Sequence, residues 1–450
     1  MELDSSLSSA ELIVDAVLTE TEYEVVLAVK NHIPDIVKLN SIDLLMAVGN
    51  INSPLLDIPL KSSLAMKSGV GSARFTRNST ATYIDRYGVL QTAAIDIPRF
   101  EKEGYLNEGY GTNLLTYSNQ FNTAGGWVVT STAVATKERI GPDGIVDSAW
   151  YLKKTDFNAS YMYKGAISLS SGTTYTFSFH SKKEDDGGDE TYCYFPGNFF
   201  TSGVSRYVKY NFITKALTDV NNNLQDKRVV ELADGWVRIS MTFLVDLGAT
   251  GPGSIIGSDV DIFGAQLEAF PFATSYIPTV ASAATRIPDI LNVDSAGNTP
   301  NVEANGAVSV LFDIDMFGGI DDIYQWVWGL VVPPQDFIAL AISTSLQPIS
   351  LAVSPTDECI VYMSSTIVPR NRHRIAQVIS NAGHYTYQNG VQVGFTADTD
   401  SSITAACNSA TTIRIGSASD DADPSLAFYG HISNFRVFEG ALTSSEIYLA

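Results

Sequence analysis

Cysteine is nearly absent from this chain. Cys193, Cys359 and Cys407 are the whole supply, an odd number without the paired spacing of a metal site. That scarcity fits synthesis in a reducing cytosol. Apolar runs long enough to span a bilayer are also missing, so membrane insertion is not expected. Glu2 and Asp4 stand where a secretory signal would carry Lys or Arg. Basic residues are few: 28 Lys and Arg face 49 Asp and Glu, for a formal net charge of −21. Nucleic acid and anionic membranes both need a basic face, so neither is expected as a partner. The acidic surface reads as one that keeps a large assembly soluble. Short-period repeats are lacking too, which argues against a β-helix or solenoid.

What is present favours sheets. Hydrophobic residues make up 45% of the chain and charged residues 17%, with 34 Gly, 21 Tyr and 21 Phe. This balance suits β-sandwiches better than helical bundles. A length of 450 residues implies two or three domains. The fold class expected is mainly β, two jelly-roll sandwiches preceded by a short helical and irregular N-terminal segment.

Residues 1–48 carry apolar positions at threes and fours, including Leu12, Ala16, Tyr23, Val26, Leu27, Leu39 and Ile42, which predicts short helices broken at Pro34. Such helices need partners, and an oligomerisation or attachment role is expected for them. Residues 49–111 read as an irregular connector with short strands around Asp85-Arg-Tyr-Gly88. Regular alternation begins at Thr112 and runs to 284. A linker is expected at 285–304, and a second all-β unit at 305–450. Asn389-Gly390 is the strongest hairpin signal, because both turn residues must take positive φ.

Three resemblances follow from particular residues. Phe75-Thr-Arg-Asn-Ser-Thr-Ala-Thr-Tyr83, Tyr87-Gly-Val-Leu90 and the run Gln266–Asp289 resemble a recurrent frame of bacteriophage tail and appendage proteins. Thr112–Asn122 with Trp127, Asp234–Ser240 and Asp259–Leu267 resemble strands of jelly-roll carbohydrate-binding modules. His384–Val393, Thr412–Gly416 and Phe428–Leu442 resemble laminin-G-like and concanavalin-type lectin domains, in which a short helical turn follows the closing strand. Thr443-Ser-Ser-Glu446 has capping-box spacing at that place. Together the resemblances imply a virion tail fibre or appendage, made in the host cytoplasm, that recognises host cell-surface glycans. Other virion tail proteins and sister chains, as a homotrimer, are the implied partners. A structural appendage or capsid-decoration protein and a polysaccharide hydrolase or esterase are the alternatives.

Sugar binding in such modules rests on aromatic rings stacked against pyranose faces. Tyr161, Tyr163, Tyr192, Tyr194 and Phe199 supply candidate rings, with Phe200 beside them. Alternation puts Tyr161 with Tyr163, and Tyr192 with Tyr194, on one face of their strands. Two readings of these rings stand open: a sugar platform, or the sandwich core. Trp236 is expected in the core. Asp420, Asp421 and Asp423 lie in a loop where lectin-like domains bind glycan or calcium, although their spacing is not that of a calcium loop. Glu184-Asp-Asp186 with Asp189-Glu190 reads as a solvated loop or, less simply, a calcium site. A structural Ca2+ is the one cofactor considered, and otherwise none is expected. No histidine neighbours a recognisable nucleophile motif, and paired acids such as Asp313 and Asp315, or Asp321 and Asp322, read as solvated or structural. The chain is therefore expected not to be an enzyme.

Overall fold

The computed structural model describes residues 12–18, 23–29 and 53–449, apart from short stretches at 131–132, 155–160, 185–186, 258, 301–305, 322, 333–335, 354–357, 381–382, 398–409 and 418–425. The chain forms two compact units, residues 1–53 with 442–450, and residues 54–441.

In the first unit, Leu12–Leu18 pairs antiparallel with Tyr23–Val29. Helices were expected there, and strands are found. The physical reason lies in the sequence: Leu-Ile-Val-Asp-Ala-Val-Leu and Tyr-Glu-Val-Val-Leu-Ala-Val are β-branched runs short enough for a hairpin, and apolar residues this dense satisfy either period. The remaining helical expectation, at residues 30–48, lies outside the described residues. At the other terminus, helix Ser444–Leu449 is closed by the capping box that the spacing predicts. The Glu446 carboxylate accepts from the Thr443 N–H at 2.7 Å, and Thr443 Oγ1 accepts from the Glu446 N–H at 3.3 Å.

The second unit holds two β-sandwiches, in which every ladder between named strands is antiparallel. The first sandwich packs two six-stranded sheets. One runs in the order Trp127–Val129, Tyr161–Leu169, Ala249–Gly257, Glu190–Phe195, Arg206–Asn211, Leu217–Asp219. The other runs Ala133–Arg139, Ala149–Lys154, Val260–Glu268, Thr173–Lys183, Trp236–Val245, Asp226–Glu231. Between them lies a core that includes Trp127, Phe177, Phe179, Cys193, Phe195, Phe199, Met241 and Phe243.

The two sheets differ on their outer faces. In the second sheet, Val260–Glu268 is buried at every position and Thr173–Lys183 at seven consecutive ones, so both faces are covered. In the first sheet, Glu190–Phe195 and the first four residues of Tyr161–Leu169 alternate half-buried with buried, so one face stays open. That asymmetry positions the candidate site.

The second sandwich is built from distant pieces. Its seven-stranded sheet includes Arg74–Thr76 at one edge, paired with Ile290–Asp294. In its eight-stranded sheet, Leu56–Ile58 and Tyr105–Asn107 both pair with Gly430–Glu439. Residues expected to be a connector thus supply strands to the C-terminal sandwich, and the expected linker supplies Ile290–Asp294. The first sandwich is inserted between these pieces. The hairpin at Asn389-Gly390 forms as the dipeptide predicts, with φ of 51° and 81°.

A network of buried ion pairs holds the junction together. Arg77 donates to Asp289 at 3.0 Å, and Arg99 to Asp289 at 2.5 Å and Glu108 at 2.6 Å. Arg286 lies 3.2 Å from Glu108, and all five side chains are at most 1% exposed. Backbone amides complete the arrangement: Glu108 N–H donates to Asp289 and Ser275 N–H to Glu108. Burial alone would push the Glu108 carboxyl up, but Arg286, Arg99 and the Ser275 hydrogen bonds overcome it and hold it at about 2.

Candidate functional site

Strand alternation places Met162 and Lys164 inward and Tyr161 and Tyr163 outward, and likewise Cys193 and Phe195 inward with Tyr192 and Tyr194 outward. Of the two readings left open by the sequence, these four tyrosines take the outer face. Trp236 is in the interior, packed with Leu90, Leu232, Phe263 and Tyr276. Phe199 corrects the expectation for a sugar-binding ring. It is fully buried against Phe195 and Phe200, because it sits on a short 3-10 turn that folds back over the core. Asp420, Asp421 and Asp423 lie outside the described residues.

The two tyrosine pairs come from strands separated by one other. Gly257 of that middle strand is opposite Tyr161 on one side and Tyr192 on the other. The glycine puts no side chain between Tyr161 and Tyr192, whereas Ile255 stands opposite Tyr194. Tyr207, which sequence reasoning missed, extends the surface: its ring centroid is 5.8 Å from those of both Tyr192 and Tyr194. Its signal was present in the alternation of Arg206–Asn211, where Val208 and Tyr210 face inward. Exposed Val128, cross-strand to Tyr163, and the Lys209–Glu190 ion pair at 3.0 Å mark the two sides of the face.

Three interior tyrosines have hydroxyls that the protein satisfies. Tyr175, Tyr276 and Tyr429 each end in a hydrogen bond, to Ser170 N–H at 3.0 Å, Ser118 Oγ at 2.7 Å and the Tyr110 carbonyl at 2.8 Å. Tyr161, Tyr163, Tyr192, Tyr194 and Tyr207 are half-buried, and their hydroxyls have no partner among the described residues. Burial, and then Tyr207, Tyr194 and Tyr161, push the Tyr192 phenol up to about 12. The hydroxyl therefore stays protonated, able both to donate and to accept.

A second recess of about 480 Å³ lies beside Tyr117, Asn119, Asn122 and Trp150. Some of its polar groups are already committed: Asn119 donates to the Ser148 carbonyl and accepts from Gly264 N–H, Asn122 accepts from Gly125 N–H, and Trp150 donates to the Asn119 carbonyl. Gln120 and Lys137 also line it.

Asp313, one of the paired acids singled out from the sequence, is held by cations and an amide. Asp313 accepts from Arg372, from Arg374 at 3.1 Å and from Asn434 at 2.6 Å. Burial would raise its pKa, but the Arg372 and Asn434 hydrogen bonds outweigh that and lower it, the opposite of what a general acid requires. Burial pushes the Cys193 thiol well up, leaving it inert. In the Glu184–Glu190 loop, the acids that are described face cations: Glu184 is 3.4 Å from Arg139, and Asp189 is 3.5 Å from Lys183. Glu101, Glu103 and His431 form the one grouping with metal-ligand geometry among the described residues. There, burial would lower the His431 pKa, but the nearby Asp315 carboxylate and the hydrogen bond to Glu101 raise it to about 9. A cation would first have to displace that proton.

No protein-family model matches the chain, and no curated protein matches it. Solved structures similar to parts of it include the heptameric SAP-like pentraxin from Limulus polyphemus, with 14% identity over 32% of this chain and 70% of that one and a TM-score of 0.25. Domain 4 of AbnA, a GH43 extracellular arabinanase from Geobacillus stearothermophilus in complex with arabinotriose, shares 16% identity over 40% of this chain and 79% of its own, with a TM-score of 0.29. The CBM40 of the Ruminococcus gnavus IT-sialidase shares 12% identity over 34% and 86%, with a TM-score of 0.30.

Proposed function

We propose that the chain binds glycans through the tyrosine face of its first sandwich and serves a virus particle in attachment to a bacterial surface. The observation that carries the binding reading is the set of five outward tyrosines, arranged about Gly257, whose hydroxyls have no partner among the described residues. Rings of this kind stack on the apolar faces of sugars while their hydroxyls meet the sugar's own.

The virion role rests on the resemblance of Phe75–Leu90 and Gln266–Asp289 to phage tail and appendage proteins. Host cell-surface glycan, neighbouring tail proteins and sister chains in a trimer are the partners this role requires. Many weak sites acting together would give tight attachment, because linkage makes later binding events intramolecular. Binding without hydrolysis is favoured by the commitment of Asp313 to Arg372, Arg374 and Asn434.

Purified protein applied to host polysaccharides, with reducing ends measured in parallel, tests the reading. Retention without new reducing ends is expected. Incorporation into particles without any glycan retention would instead make it a structural component, and release of reducing ends would make it a hydrolase.

A further inference from the structure

Between the sandwiches lies a cleft of about 240 Å³, separate from the tyrosine face. Arg228 and Arg238 reach it from the first sandwich, and Arg370 with Phe317 from the second. Pockets around drug-sized ligands run to about 300–1,000 Å³, so an occupant here is one small group. Val230 and Glu103, both exposed, line its rim and leave it open to solvent.

Two of the three guanidiniums have no carboxylate. Arg228 is paired with Asp226 at 2.7 Å. Arg238 donates only to neutral oxygens, the Thr274 carbonyl at 2.7 Å and Ser178 Oγ at 2.9 Å, and its Nε is buried without a partner. Arg370 lies 3.8 Å over the Phe317 ring, and its Nε too is buried without a partner. Of the acids that line the cleft, Glu101 takes His431 at 2.9 Å and the Ile84 N–H, Asp315 lies 3.8 Å from the other His431 nitrogen, and Glu103 is exposed at the rim. Burial is the largest influence on Arg370 and lowers its pKa to about 10, as expected for a cation without sufficient counter-charge. Nonetheless it is charged at neutral pH. A desolvated guanidinium is stabilised by an anion in its plane, and a carboxylate fits its fork.

We propose that this cleft is a second ligand site, which takes the carboxylate of an acidic sugar on Arg370 and Arg238. The proposal is independent of the tyrosine platform, since the two sites share no residue.

The test is calorimetric titration of the full chain with glucuronic acid and N-acetylneuraminic acid, each beside its methyl ester, and with inorganic phosphate. Binding of at least one acid is expected, weakened about tenfold or more by esterification, by Arg370→Gln and by raised salt. Arg370→Lys, which keeps the charge but not the fork, should fall between. A Tyr161→Ala/Tyr192→Ala variant should bind the acid as the parent does, so failure of the platform reading leaves this result intact. Should Arg370→Gln not fold, the ester comparison on the parent chain decides. Equal affinity for acid and ester, an Arg370→Gln variant with unchanged affinity, or binding of phosphate alone would overturn the proposal.

Discussion

Arg99 and Asp289 are an ion pair at 2.5 Å, wholly buried, although 190 positions separate them. Everything between them in sequence includes the first sandwich, so this contact closes the inserted domain onto the sheets that flank it. Glu108 and Arg286 complete the closure.

Glu108→Gln should therefore be severely destabilising. It leaves Arg99 and Arg286 buried with too little counter-charge, and breaking a buried pair in this way costs about 3–5 kcal/mol. The measurement is the denaturant midpoint at neutral pH. The Glu108 pKa is depressed, so its contribution is present above 4.5 and is lost as pH falls through about 2. A midpoint unchanged by the substitution would remove the network from the account of stability.

His431 should impose the opposite slope. Its pKa is raised from 6.5 to about 9, so its stabilisation is fully present below pH 6.5 and is lost as pH rises through 9. Thermal melts of the parent should decline over that window by the equivalent of roughly 3 kcal/mol. His431→Gln should be less stable at pH 6 and show little slope, and a retained slope would assign the decline elsewhere.

Much of this was legible in the sequence. Alternation exposed the strands of the first sandwich, Asn389-Gly390 marked a hairpin of the second, and Thr443 with Glu446 marked the terminal cap, because each depends on residues a few positions apart. The same alternation paired Tyr161 with Tyr163 and Tyr192 with Tyr194. It could not say which face was covered, since that depends on the burial of Thr173–Lys183 and Val260–Glu268 on both sides. Nor could it join Leu56–Ile58 to Gly430–Glu439, strands that meet across nearly the whole chain. Phe199 looked equivalent to the tyrosines because the backbone turn that buries it leaves no periodic mark. In the N-terminal hairpin the apolar residues are too dense for a period of 3.6 to be told from a period of 2.

Core and face rings should respond differently to truncation. Phe199→Ala should cost about 3–5 kcal/mol, as for other buried Phe, and leave the folded fraction binding normally. Tyr194→Ala should cost much less stability, and a stacked ring contributes on the order of 1 kcal/mol, so glycan affinity should fall several-fold. Thermal melting and surface binding of both variants check this, and the reverse pattern would return Tyr194 to the core.

Removal of residues 1–48 should leave the melting temperature of the 54–441 unit unchanged, since that unit is compact by itself. Particles assembled with the shortened chain should lack it if the N-terminal region is the attachment segment. Normal incorporation, read by immunoblot of purified particles, would place attachment elsewhere.

The most direct measurement is titration of host surface polysaccharide into the parent chain and into the Tyr161→Ala/Tyr192→Ala variant, with melting curves taken on the same samples. Both rings border Gly257, and their loss should abolish saturable binding of neutral polysaccharide while the variant melts as one folded protein. Equal affinity of the two proteins would contradict the assignment of the tyrosine face.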